Sequence, residues 1–129
     1  MHQLNVLNRL SEDWNDLKEI IVYGYGRVAA RNIGKLWKDF HIKCIIDNNP
    51  KLQGEEYKGI LIQSFEQARN LLPGTKVIVA TSALAYASIT KDLERIGLKE
   101  FQDFSRLEDF MPEWYWKNRH EVCLSQMFS

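Results

Sequence analysis

The chain is short of cysteine and proline and has no surplus charge of either sign. Its two cysteines, Cys44 and Cys123, stand far apart in 129 residues. That excludes a disulfide framework, and no C-x-x-C pair supplies a redox or metal motif. Cys44 lies in an apolar run and reads as a small buried residue. The expected compartment is the cytoplasm, with reduced thiols. The 17 basic residues balance 17 acidic ones, for a formal net charge of zero. Nucleic-acid surfaces usually carry a basic excess, so nucleic acid is not expected as a partner. No apolar run nears the roughly 20 residues that span a bilayer, so no membrane span is expected. The opening MHQLNVLNRLSEDWNDL carries charges throughout and lacks a signal peptide's apolar centre.

Catalytic patterns are missing too. G-x-S-x-G, H-E-x-x-H and Walker A do not occur. Tyr86 and Lys91, with Ser82 upstream, approach a Tyr-x-x-x-Lys pair, but at a spacing of five the side chains diverge around a helix. His2, His41 and His120 have no partners at metal-ligand spacing. No catalytic residue and no metal site is expected.

What remains is a periodic pattern. Ile20 to Tyr23, Ile42 to Asp47, Ile60 to Ile62, Lys76 to Thr81 and Phe101 to Phe104 read as strands. Between them, Ala29, Ile33, Leu36 and Phe40 mark one helix, and Tyr86, Ile89, Leu93 and Ile96 another. Val6 to Leu17 suggests an opening amphipathic helix. Residues 51–60 should form a loop or a small hairpin. Ser64 with Gln67, and Ser105 with Glu108, are capping-box pairs. This alternation predicts an α/β domain with flanking helices and a doubly wound, mainly parallel five-stranded sheet in the order 3-2-1-4-5.

The most informative stretch is IVYGYGRVAARNIG, residues 21–34. Gly24-Tyr25-Gly26-Arg27-Val28-Ala29 fits G-x-G-x-x-G/A between a strand and a helix. Gly24 would make the tight turn, Gly26 would admit a phosphate to the backbone, and Ala29 would let the helix pack closely. Helix-start amides and the helix dipole favour the anion. Arg27, unfavourable against that dipole alone, would gain from a bound phosphate; it equally suits an exposed side chain turned into water. Asp47 closes the next strand about 20 residues beyond Gly26, the place of a ribose-binding carboxylate. Its other reading is the cap of an Asp-Asn-Asn-Pro turn. Thr81 and Ser82 should reach the same sheet edge, where they would touch base or phosphate; Ser82 also suits a helix cap.

The run from IVYGYG through IIDNNP to the Gly54–Ile60 loop, with the later VIVATS strand, resembles the Rossmann-like N-terminal domain of bacterial sugar O-acyltransferases and related polysaccharide-biosynthesis proteins. The resemblance covers about residues 19–104. It implies that Gly24, Gly26 and Asp47 hold a UDP-sugar. The β-helix that carries acyl transfer in that family has no counterpart here, so binding alone is implied.

The expected organisation is one Rossmann-like nucleotide-binding domain over residues 1–129, with a core at about 19–104 and a helical tail at 105–129. The first functional reading is an accessory module holding a nucleotide-sugar. The second is an NAD(P)-binding oxidoreductase or redox-sensing domain. The third is an interaction module that uses the aromatic tail around Trp114, Tyr115 and Trp116. A small-molecule nucleotide is the expected ligand, and the tail would join a second copy or a larger parent protein.

Overall fold

The structure, a computed structural model, describes residues 10–110. Its strands are β1 (Glu19–Tyr23), β2 (His41–Ile46), β3 (Glu56–Tyr57), β4 (Ile60–Gln63), β5 (Lys76–Val79) and β6 (Phe104–Arg106). Its α-helices are α1 (Arg27–Asp39), α2 (Phe65–Ala68), α3 (Ala83–Arg95) and α4 (Leu107–Phe110). A 3₁₀ turn at Glu12–Asp16 precedes β1 and buries Trp14. There the sequence suggests a longer helix; its start at Val6 lies outside the described residues.

The sheet has six strands in the order β3-β4-β2-β1-β5-β6. The sixth strand corrects the expected five-stranded sheet, and it lies outside the order 3-2-1-4-5 of the strands read from the sequence. The extra strand, β3, pairs antiparallel with β4 at the outer margin, while every other pairing is parallel. Lys58 and Gly59 between them have φ of +50° and +83°. Two successive left-handed residues make a turn whose twist matches a hairpin. Of the loop or small hairpin expected over residues 51–60, the hairpin forms, although Lys-Gly is a weaker signal for this turn than Asn-Gly.

The strand residues alternate between two cores, as a pleated strand requires. Ile20 and Val22 of β1 face α1 and pack with Ala29, Ile33 and Leu36. Ile21 and Tyr23 face the other way, against Phe65 of α2 and Ile89 and Leu93 of α3. All four of these β1 residues are buried, so the strand lies inside the molecule on both faces. Each such side chain contributes about 1.5–3 kcal/mol by leaving water.

Helix ends follow local chemistry. Ser64 and Gln67 form the complete capping box of α2. Gly97, at φ +92°, ends α3, with Leu98 N–H returning to the Leu93 carbonyl at 3.1 Å. The second expected capping box does not form. Ser105 is buried within β6, and its hydroxyl donates to the Arg106 carbonyl at 2.7 Å. The fifth expected strand shifts accordingly, from 101–104 to 104–106, because Phe101 has a left-handed φ of +69°.

Candidate functional site

At the carboxyl edge of the parallel strands, β1 runs into Gly24. Its φ of +115° disfavours any residue with a side chain, and its N–H donates to the Ile46 carbonyl at 2.6 Å. Gly26 differs. Its backbone is extended, at φ −92° and ψ −150°, and a Cβ there would meet nothing within 4 Å. Open space therefore lies over the N-terminus of α1. Gly26 has no side chain to cap the first-turn amides, and no acidic residue sits in that turn. Serines do cap α2 and α3. The uncapped N–H groups of a 13-residue helix are a ready place for an anion.

Asp47 follows β2 and is half-buried. Its Oδ2 accepts the Tyr25 N–H at 2.8 Å, and its Oδ1 accepts the Asn49 N–H at 2.8 Å. Its own N–H donates to the Gln63 carbonyl at 2.9 Å. Asn48 ties a second layer together. It donates to the Tyr23 hydroxyl at 2.9 Å and accepts the Phe65 N–H at 3.1 Å. Burial pushes the Tyr23 phenol up to about 12, against the pull of the Asn48 hydrogen bond.

These strand ends face α3 across a cleft of about 320 Å³. Tyr23, Gly24, Asp47, Asn48 and Thr81 form one wall; Ala85, Ser88, Ile89 and Asp92 form the other. Of the residues singled out in the sequence, Gly24, Asp47 and Thr81 meet here. Gly26 and Arg27 lie outside the lining, exposed at the start of α1. Ser82 is the cap of α3, its hydroxyl accepting the Ala85 N–H at 3.3 Å. Thr81 donates to the Ser82 carbonyl at 3.2 Å.

Asn48, Ser88 and Asp92 were not anticipated. Ala85, Ser88 and Asp92 recur at helical spacing and so share one face, which is the signal the sequence carried for them. Tyr86 is committed elsewhere, its hydroxyl donating to Glu100 at 2.5 Å.

A larger cleft of about 350 Å³ opens at the opposite edge, lined in part by Asp13, Glu19, Lys76 and Asp103. Lys76 is already paired there with Asp13 at 2.5 Å, and His41 with Glu19 at 2.8 Å. Open α/β sheets take ligands at the carboxyl ends of their strands, so the smaller cleft is the functional candidate. Among the described residues no group of three or more His, Cys, Asp or Glu is placed to hold a metal, and no helix is long and apolar enough to cross a membrane.

The model of the C2185-like N-terminal family matches residues 16–102. No curated protein matches the chain. A crystal structure of RSP, a Rex-family repressor, is similar with a TM-score of 0.54 and 17% identity, over 89% of this chain and 66% of that one. RSP in complex with β-NAD+ and operator DNA gives a TM-score of 0.54 and 16% identity, over 99% and 67%. RSP with β-NADH gives 0.54 and 16%, over 97% and 69%. At such identities the likeness is one of fold, and the chain spans about two thirds of the repressor's length.

Two expectations are corrected by these findings. The family match replaces the resemblance to sugar O-acyltransferase domains, and the nucleotide-sugar reading goes with it. A strand ending in G-x-G and an acid after the second strand belong to many nucleotide folds, so they do not select a sugar ligand. The exclusion of nucleic acid is also withdrawn, because a repressor of this fold is solved on operator DNA. A formal charge of zero is a sum; it does not say where charges sit.

Proposed function

The chain belongs to the C2185-like N-terminal family, and on the geometry of its sheet edge we propose that it is an NAD(H)-binding, redox-sensing domain. The observation that carries this reading is the open, uncapped N-terminus of α1 above Gly26, next to the cleft of Gly24, Asp47 and Thr81. The fold it shares with a repressor solved with β-NAD+ and with β-NADH supports the choice of ligand.

In this reading Gly24 turns the chain and Gly26 gives the pyrophosphate access to the backbone. Arg27, exposed beside it, adds positive charge where the phosphates arrive. Asp47 and Thr81 border the ribose side of the cleft, and Ser82 shapes the start of α3. The domain binds and reports; it carries out no hydride transfer of its own. The cytoplasm is its compartment, where Cys44 stays a free thiol. DNA belongs to the same proposal, as the target of the assembly in which the domain reports.

Differential scanning fluorimetry with NAD+, NADH and UDP tests the ligand. A ligand at about 100 times its Kd adds roughly 2.7 kcal/mol to the native state. NAD+ or NADH should raise Tm by several degrees and UDP should not. No shift from either dinucleotide at millimolar concentration would sink the proposal.

A further inference from the structure

Asp47 has a job in this structure that a ribose ligand would not need. Both carboxylate oxygens accept backbone N–H groups, Tyr25 on Oδ2 and Asn49 on Oδ1, each at 2.8 Å. Tyr25 is the middle residue of the glycine turn. Asp47 also reaches β4 through its N–H, at 2.9 Å to the Gln63 carbonyl, and its carbonyl accepts the Gln53 side chain at 3.2 Å. One residue thus binds the glycine turn, its own turn, the β4 strand and the loop before β3.

The charge matters to the turn. A carboxylate on the Tyr25 N–H is a charge-assisted bond, and it fixes the peptide between Gly24 and Tyr25. That peptide sets the direction in which the chain enters α1 and presents the amides beyond Gly26. The Tyr25 N–H is consumed in this way, so an incoming phosphate must use the later amides.

We infer that Asp47 is a positioning residue, holding the glycine turn in its anion-receiving shape rather than gripping the ribose. The inference rests on the nucleotide-binding reading for its consequence, but not for its geometry.

Two measurements separate the two. Amide hydrogen exchange by NMR on the ligand-free protein addresses the geometry. The Tyr25 amide should be protected in the wild type. In Asp47→Ala it should exchange faster, as should Asn49, while Val77 and Val79 in β5 stay protected. An unprotected Tyr25 in the wild type overturns the inference whether or not any nucleotide binds.

The second measurement is calorimetric titration with NAD+ and with its analogue lacking the adenosine 2′-hydroxyl. A positioning role predicts that Asp47→Ala weakens both ligands by the same factor, about tenfold or more for the loss of a charged hydrogen bond. Asp47→Asn, which keeps one carbonyl acceptor, should recover part of that loss for both. If the substitution weakens NAD+ alone and leaves the deoxy analogue untouched, Asp47 is a ribose ligand and the inference is wrong. If the wild type binds neither dinucleotide while Tyr25 is protected, the function proposal fails and the hold of Asp47 on the glycine turn stands.

Discussion

A methyl group on Gly24 would sit 2.6 Å from Thr81 Cγ2. The same methyl would come within 2.7 Å of the Ala80 carbonyl oxygen, which is backbone and cannot swing aside. Gly24 is thus a packing requirement between β1 and β5 as well as a turn residue. Gly26, two positions on, has free space where a side chain would go. The two glycines of one motif answer to different constraints, and substitutions should separate them.

Gly24→Ala should destabilise the fold by about 3 kcal/mol. Backbone strain of roughly 1–3 kcal/mol adds to overpacking of similar size. Urea unfolding of the two proteins measures it, and a loss below about 1 kcal/mol would mean that β1 and β5 separate easily to admit the methyl.

Gly26→Val should leave the fold standing, with a cost of about 1 kcal/mol for a poor helix N-cap. Any NAD(H)-induced rise in Tm should vanish, because the isopropyl group fills the space over the α1 amides. A variant that melts normally and still responds to dinucleotide would place the ligand elsewhere.

Alkaline pH should weaken the protein through Tyr23. Its phenol is pushed up to about 12 from an ordinary 10, by burial first. The folded state therefore keeps a proton that the unfolded chain releases. The stabilisation is whole below pH 10 and is lost as pH climbs towards 12, at up to about 1.4 kcal/mol per pH unit. The Tyr86 phenol is shifted the same way by burial and by Glu100. Tyr23→Phe should show a shallower fall in unfolding free energy between pH 9 and pH 11. Equal slopes in both proteins would dismiss the phenol as the cause.

Cys44 should resist thiol reagents in the native state. It is 2% exposed, and burial pushes its thiol up to about 11. In a Cys123→Ser background at pH 8, labelling should require unfolding and accelerate with urea. Complete labelling within the mixing time, without denaturant, would contradict the burial.

Strands and helices with a strong period were legible in the sequence. The IIVY of β1 and the VIV of β5 are continuous apolar runs because both of their faces are covered. Ala29, Ile33 and Leu36 announced α1 by spacing alone. The hairpin was harder, since Lys58 must adopt a left-handed backbone that its residue type does not advertise. Ser105 misled because Ser-x-x-Glu describes a cap only where a helix starts, and here β6 runs through the serine. At the candidate cleft, Gly24 and Asp47 were legible because they belong to one motif whose spacing is local. The α3 wall was not, because spacing shows that Ala85, Ser88 and Asp92 share a face but not what that face looks onto.

The outermost strands among the described residues are very short. β3 has two residues and β6 has three. Unpaired backbone along a long margin invites a neighbouring molecule to extend the sheet. Such brief margins offer little template, and the exposed Glu56 and Lys58 at the hairpin put charges beside one of them. Concentrated solutions of the folded domain should accordingly be spared fibril seeding from these edges.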